Sequence, residues 1–198
     1  MRRLAFFCLL AATLLLSGCR SCTPHSTTTC TPPASFDLAV PLRPQETNVW
    51  CWAASGEMCM DFLGTNVSQC DSANKYTGRT DCCNHPTPGP CVTTGWPVFD
   101  KYNFTFDETN HAAITWDQVK DQTYCLRKPV AFVWWWVGGG GHVMVVRGYK
   151  TQGGQNYVYM DNPWAPNVGD IYYITYSFYV SDPSDHTHGD DFYNLTRH

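Results

Sequence analysis

Gln45-Glu46-Thr47-Asn48-Val49-Trp50-Cys51-Trp52-Ala53-Ala54-Ser55 is the stretch on which the reading of this chain turns. Cys51 opens a segment, running to Leu63 and stopped by Gly64, that reads as a helix. A thiol at the start of a helix sits where unpaired backbone N–H groups and the helix dipole favour negative charge. That gives it the thiolate character a nucleophile needs. Gln45 stands six residues upstream. An amide side chain there can reach back and donate to an oxyanion, beside the backbone N–H of Cys51.

Outward from this stretch the chain changes character. Ser35 to Leu42 reads as an entry strand, and Cys70 to Cys91 as a loop of Gly, Pro, Asn and cysteines. Thr115 with Gln118 forms a capping box for a second helix, expected from Trp116 to about Leu126. Strands follow at Val130–Val137, Val143–Val146, Tyr157–Met160 and Ile171–Tyr176. Helices first and strands afterwards imply an α+β fold with a segregated antiparallel sheet. Gly138 to Gly141 is either a redundant glycine turn or a flexible rim beside His142. Trp134, Trp135 and Trp136 alternate across their strand, with core packing expected for most of them. His186, His188 and Asp190 read as a solvated tail.

Three motifs, in order, carry a family resemblance. Gln45 to Ser55 resembles the papain Gln-x5-Cys-Trp-Ala signature. His142-Val143-Met144-Val145-Val146-Arg147-Gly148-Tyr149 resembles the papain histidine strand, and Asn162-Pro163-Trp164 resembles its third signature. The likeness covers roughly residues 38 to 180. It is strongest to the bacterial avirulence-effector (AvrRpt-like) branch, where Pro-x-x-Pro-Gln precedes the cysteine element and a Cys-Cys loop can follow the first helix. The resemblance implies a papain-like fold, with the nucleophile helix packed on the C-terminal sheet, and a thiol-dependent peptidase with no cofactor or metal. Cys51 is then the nucleophile, His142 the general base and Gln45 an oxyanion donor. Either Asn162 or Asp161 orients the imidazole. Adjacent strand residues face opposite ways, so only one of the two points at His142. Trp164 would shield the bond between His142 and its partner. The same scaffold also serves amidases, acyl transferases, toxin-like effectors and inactive peptide-binding modules.

A low-charge, aromatic-rich chain with many cysteines suits an exported protein. Charged residues make up 15% of the chain, below the roughly 25% usual for soluble domains. Acidic residues outnumber basic ones by 17 to 13, which argues against nucleic acid as a partner. The expected partners are a polypeptide substrate and a lipid bilayer, with the protein a monomer. Arg2, Arg3 and the apolar run Leu4 to Leu16 read as residues 1–18 of a lipoprotein signal. Cleavage before Cys19 and acylation of its sulfur follow by resemblance to lipoproteins, and Arg20 after it points to the bacterial outer membrane. Residues 19–35 form a Ser/Thr/Pro-rich tether, and residues 36–198 the folded domain. Of 11 cysteines, Cys8 leaves with the signal. With Cys19 and Cys51 set aside, Cys22, Cys30, Cys59, Cys70, Cys82, Cys83, Cys91 and Cys125 are candidates for disulfides. A local Cys22–Cys30 bridge is one expectation. Another is that adjacent Cys82 and Cys83 tie different partners.

Overall fold

The computed structural model describes residues 30–198. The expected signal, Cys19, Cys22 and most of the tether lie outside the described residues. A short strand β1 (Ser35–Asp37) leads to helix α1 (Cys51–Phe62) and helix α2 (Gln69–Thr77). Strand β2 (Phe104–Glu108) and the short helix α3 (Trp116–Lys120) follow. The second half holds β3 (Val130–Trp136), β4 (Gly141–Gln152), β5 (Gln155–Asn162) and β6 (Asp170–Thr175). It ends with α4 (Tyr176–Val180), β7 (Ser181–Asp182) and β8 (His186–Arg197). The strands form an antiparallel sheet in the order β2-β8-β3-β4-β5-β6; β1 adds to β4, and β7 to β8. The expected α+β architecture is present.

Alternation along the strands explains the packing. Val143 and Val145 of β4 face α1 and join Trp50, Trp52, Met58 and Met60 in one core. Met144 and Val146 face the other way, into a second core with Phe132, Trp134, Val158, Met160 and Tyr179. A sheet covered on both faces needs apolar residues at successive positions, which is why β3 and β4 read as uninterrupted hydrophobic runs. A bulge between Val146 and Gly148 restores Tyr149 to the second core. At Gly148 a Cβ would stand 2.3 Å from the Phe36 carbonyl oxygen, so only glycine lets β1 approach β4.

α1 is buried around most of its circumference, because the sheet covers one side and the cysteine-rich segment the other. That segment departs from the expected loop. Residues 69–77 are helical, with Ser68 accepting from the Asp71 N–H at one end and left-handed Gly78 at the other. Two disulfides, Cys70–Cys83 and Cys82–Cys91, pin it, and the adjacent cysteines do tie different partners. The third bridge joins Cys30 to Cys125 across 95 residues, which overturns a Cys22–Cys30 pair. Cys59 is a correction of another kind. It is a free thiol, fully buried on α1, and burial next to Asp161 raises its pKa far above the ordinary thiol range.

Two further expectations change. α3 keeps its capping box but gives way after Lys120 to a wider turn, Asp121–Cys125, which carries Cys125 to its disulfide. The segment read as a solvated tail is β8, between β2 and β3. His186 stacks on Trp134 at 3.7 Å, with its ring nitrogens against Asp185 and the Phe178 carbonyl. His188 lies between the Tyr179 carbonyl and Asp191. A polar strand is stable there because its inward side chains find partners.

The Cys30–Cys125 bridge closes a long loop, so replacing both cysteines by serine is expected to lower stability by about 2–4 kcal/mol. Urea unfolding of the double variant beside the parent protein measures this.

Candidate active site

The site lies where the start of α1 meets the start of β4. α1 begins at Cys51 with Trp50 as its N-cap and no capping side chain, so the first-turn N–H groups are left for another acceptor. Two indoles flank the thiol, and both are held by the disulfide-closed segment. Trp50 Nε1 donates to the Cys91 carbonyl at 2.8 Å, and Trp52 Nε1 to the Thr93 carbonyl at 3.1 Å. One turn further along, the buried Ser55 hydroxyl donates to the Val143 carbonyl at 3.0 Å, fastening α1 to the residue after His142. The small residues Ala53, Ala54, Ser55 and Gly56 let helix and sheet approach this closely.

His142 is 8% exposed. Its Nε2 stands 2.7 Å from Asn162 Oδ1. The direction of this bond follows from the other contacts of the amide. The same Oδ1 accepts the backbone N–H of Trp164 at 3.0 Å, and Nδ2 donates to the Tyr172 hydroxyl at 3.4 Å. A backbone N–H can only donate, so the oxygen faces His142 and Nε2 must carry the proton. The neutral ring therefore keeps Nδ1 as its acceptor. Trp136 lies nearly parallel to the ring at 6.2 Å.

Asp161 faces the opposite side of β5. It is fully buried, and its Oδ1 takes a 3.0 Å bond from Arg147 Nη1, whose Nε bonds Asp37 of β1 at 2.7 Å. Burial outweighs the guanidinium and pushes the carboxyl up to about 6. The two neighbours thus divide the work, Asn162 on the histidine and Asp161 on the attachment of β1.

Charge in the site is finely opposed. Burial raises the Cys51 thiol, while hydrogen bonds from the backbone of Val143, Trp52 and Cys51 pull it down. Burial lowers His142, and the Asn162 bond pulls it up. Both groups lean toward their neutral forms, and the polar contacts that oppose this would stabilise a thiolate and an imidazolium.

Cys51, His142, Asn162 and Gln45 line one cleft of about 720 Å³. Gln45 is buried, its Nε2 donating to the Thr47 carbonyl at 2.6 Å. Trp135 and Trp136 both line the cleft, whereas Trp134 is in the second core. Trp164 is half exposed on the rim rather than in the core. Gly138, Gly139 and Gly140 all have φ near +100° in open surroundings, so the turn requires them, and Gly140 and Gly141 also reach the cleft. Tyr76, Thr94, Gly95 and Trp96 complete the opposite wall. Sequence reasoning missed these four. At Gly95 a Cβ would stand 2.9 Å from the Trp52 ring, a close approach that exists only in the fold. Among the described residues, two groups of cysteine and aspartate have the spacing of metal ligands, but their cysteines are joined in the disulfides above.

A helix that opens at Cys51, packed against an antiparallel sheet that carries His142 and Asn162, defines the papain-like cysteine peptidase fold. The model of the Peptidase_C39 like family matches residues 37–196, and the chain belongs to that family. Two solved structures agree on the fold. Procathepsin L 3 from the larval midgut of Tenebrio molitor aligns with a TM-score of 0.52 at 14% identity, over 86% of this chain and 73% of that one. A structure from work on the mite allergens Blo t 1 and Der p 1 aligns at 0.52 and 12% identity, over 86% and 74%. The peptidase domain of Streptococcus ComA, a bifunctional ABC transporter of a quorum-sensing pathway, aligns at 0.49 and 19% identity, over 80% and 99%. No curated protein matches the sequence.

The opposed roles of the two neighbours are separable. Asn162→Ala removes the bond that raises His142, so its imidazole is expected to titrate at lower pH, read from ring-proton NMR shifts. Asp161→Asn should leave that titration in place and act on stability instead. A carboxyl raised in the folded state stabilises fully below the unfolded value near 4, and that contribution is lost as pH rises through about 6. The parent protein should therefore gain stability over Asp161→Asn on acidification from pH 7 to 4, measured by urea unfolding.

Proposed function

We propose that this chain is a cysteine peptidase that hydrolyses peptide bonds through Cys51, His142 and Asn162, working outside the cytoplasm from a lipid anchor at Cys19. The observation that carries the reading is the 2.7 Å bond from His142 Nε2 to Asn162 Oδ1, which leaves Nδ1 free to take a proton in a cleft shared with Cys51. The thiol proton passes to Nδ1, and the sulfur attacks the carbonyl carbon of the substrate. The oxyanion is met by the Cys51 N–H and the second N–H of Gln45 Nε2. His142 returns its proton to the leaving amine, releasing it. Water, deprotonated by the same nitrogen, then cleaves the thioester and regenerates the thiol. Asn162 holds the ring in the tautomer these steps need.

Three disulfides among the described residues favour an oxidising compartment, in keeping with export. The lipid anchor rests on the Leu16-Ser17-Gly18-Cys19 sequence. The likeness to the avirulence-effector branch rests on the Pro44-Gln45 and Cys51–Ser55 motifs. Amidase or acyl-transfer chemistry would use the same residues.

Intact-mass labelling with an epoxide inhibitor of papain-like enzymes tests the reading. One adduct is expected on the wild type and none on Cys51→Ala or His142→Ala. A folded, oxidised wild type that takes no adduct would instead be a peptide-binding module.

A further inference from the structure

Gln69, the first residue of α2, is not used by the chemistry above, yet it is 2% exposed and both its donors are engaged. Its Oε1 accepts the Glu46 N–H at 2.9 Å, and its Nε2 donates to the Pro44 carbonyl at 2.9 Å and to Glu57 Oε2 at 3.0 Å. The carboxamide therefore binds the backbone on both sides of Gln45, as an added strand would. The backbone of Gln45 itself is held from elsewhere. Its N–H donates to the Pro163 carbonyl at 3.0 Å, and its carbonyl accepts the Asn167 N–H at 2.9 Å. Four consecutive backbone groups are thus engaged, two by Gln69 and two by the loop that follows Asn162.

The side chain of Gln45 is less firmly held. Its Oε1 is buried without a partner, and its Nε2 bonds only the Thr47 carbonyl. The direction of that amide is then set by its backbone. We propose that Gln69 is a positioning residue for Gln45, aiming the amide at the oxyanion; this rests on the peptidase reading of Gln45. The contacts call for glutamine in particular. A glutamate has no donor for the Pro44 carbonyl and would set a second carboxylate against Glu57, whose own carboxyl burial already raises. Gln69 is in turn fixed by its neighbour, since Cys70 is bridged to Cys83. The disulfide segment therefore reaches the site twice, through the indoles beside Cys51 and through the amide at Gln45.

The test compares two reactions of Cys51 in the whole protein. Acylation by p-nitrophenyl acetate passes through a tetrahedral oxyanion, whereas alkylation by iodoacetamide does not. Gln69→Glu and Gln45→Ala should each slow acylation by about 10- to 100-fold while alkylation stays within about two-fold. In the Gln45→Ala background, Gln69→Glu should cost nothing more. Gln69→Met, of similar length and uncharged, serves if Gln69→Glu does not fold. Acylation at the wild-type rate, additive losses, or equal loss of both reactions would overturn the assignment. A wild-type Cys51 inert to both reagents would instead sink the peptidase reading itself.

Discussion

The buried hydrogen bond from the Ser55 hydroxyl to the Val143 carbonyl joins the two halves of the site. Cys51 is one turn before Ser55 on α1, and His142 is one residue before Val143 on β4. A helix and a strand can slide against each other as long as apolar surface stays covered, because hydrophobic burial is not directional. A buried hydroxyl facing a carbonyl removes that freedom, since displacement leaves two polar groups without partners. The small side chains of Ala53, Ala54 and Gly56 make the approach possible, with Val143 packed in the core beside α1 and His142 lining the cleft it shares with Cys51.

The rest of the molecule supports that junction from both sides. Behind the helix, the disulfide-closed segment holds the indoles of Trp50 and Trp52 by its carbonyls. Behind the sheet, Tyr172 and the backbone of Trp164 orient the Asn162 amide. The protein thus keeps its cross-links oxidised while the thiol in the cleft stays free. Burial separates the two states of sulfur. Cys51 opens to the cleft, and Cys59 is sealed on the inner side of the same helix, where it is inert.

The elements missed at the level of sequence share a physical cause. α2 carries Gln, Cys, Asp, Asn and Lys with little apolar periodicity, and its stability comes from caps and disulfides more than from a buried stripe. β8 lacks hydrophobic alternation in its first half because His188 and Asp191 are its inward residues, satisfied by Tyr179 and the Ile114 N–H. Counting cysteines gave an even set for pairing, but parity is blind to burial. Cys59 belongs to the core, and Cys30 reaches Cys125 because β1 lies beside the turn that carries it.

What the sequence determined by itself was local. The spacing of Gln45 and Cys51 before a helix, the apolar run after His142 and the strand ending in Asn162-Pro163-Trp164 are patterns of neighbouring residues. They reflect the period of the element each occupies. The tertiary structure decided everything that depends on which distant groups meet. It turned Asn162 rather than Asp161 toward the histidine, gave Asp161 to Arg147, chose the disulfide partners, built the far wall of the cleft from Tyr76, Thr94, Gly95 and Trp96, and set Gln69 around Gln45. Such contacts are made by buried polar groups that must find partners once water is gone, and sequence spacing carries no record of which partner each will find.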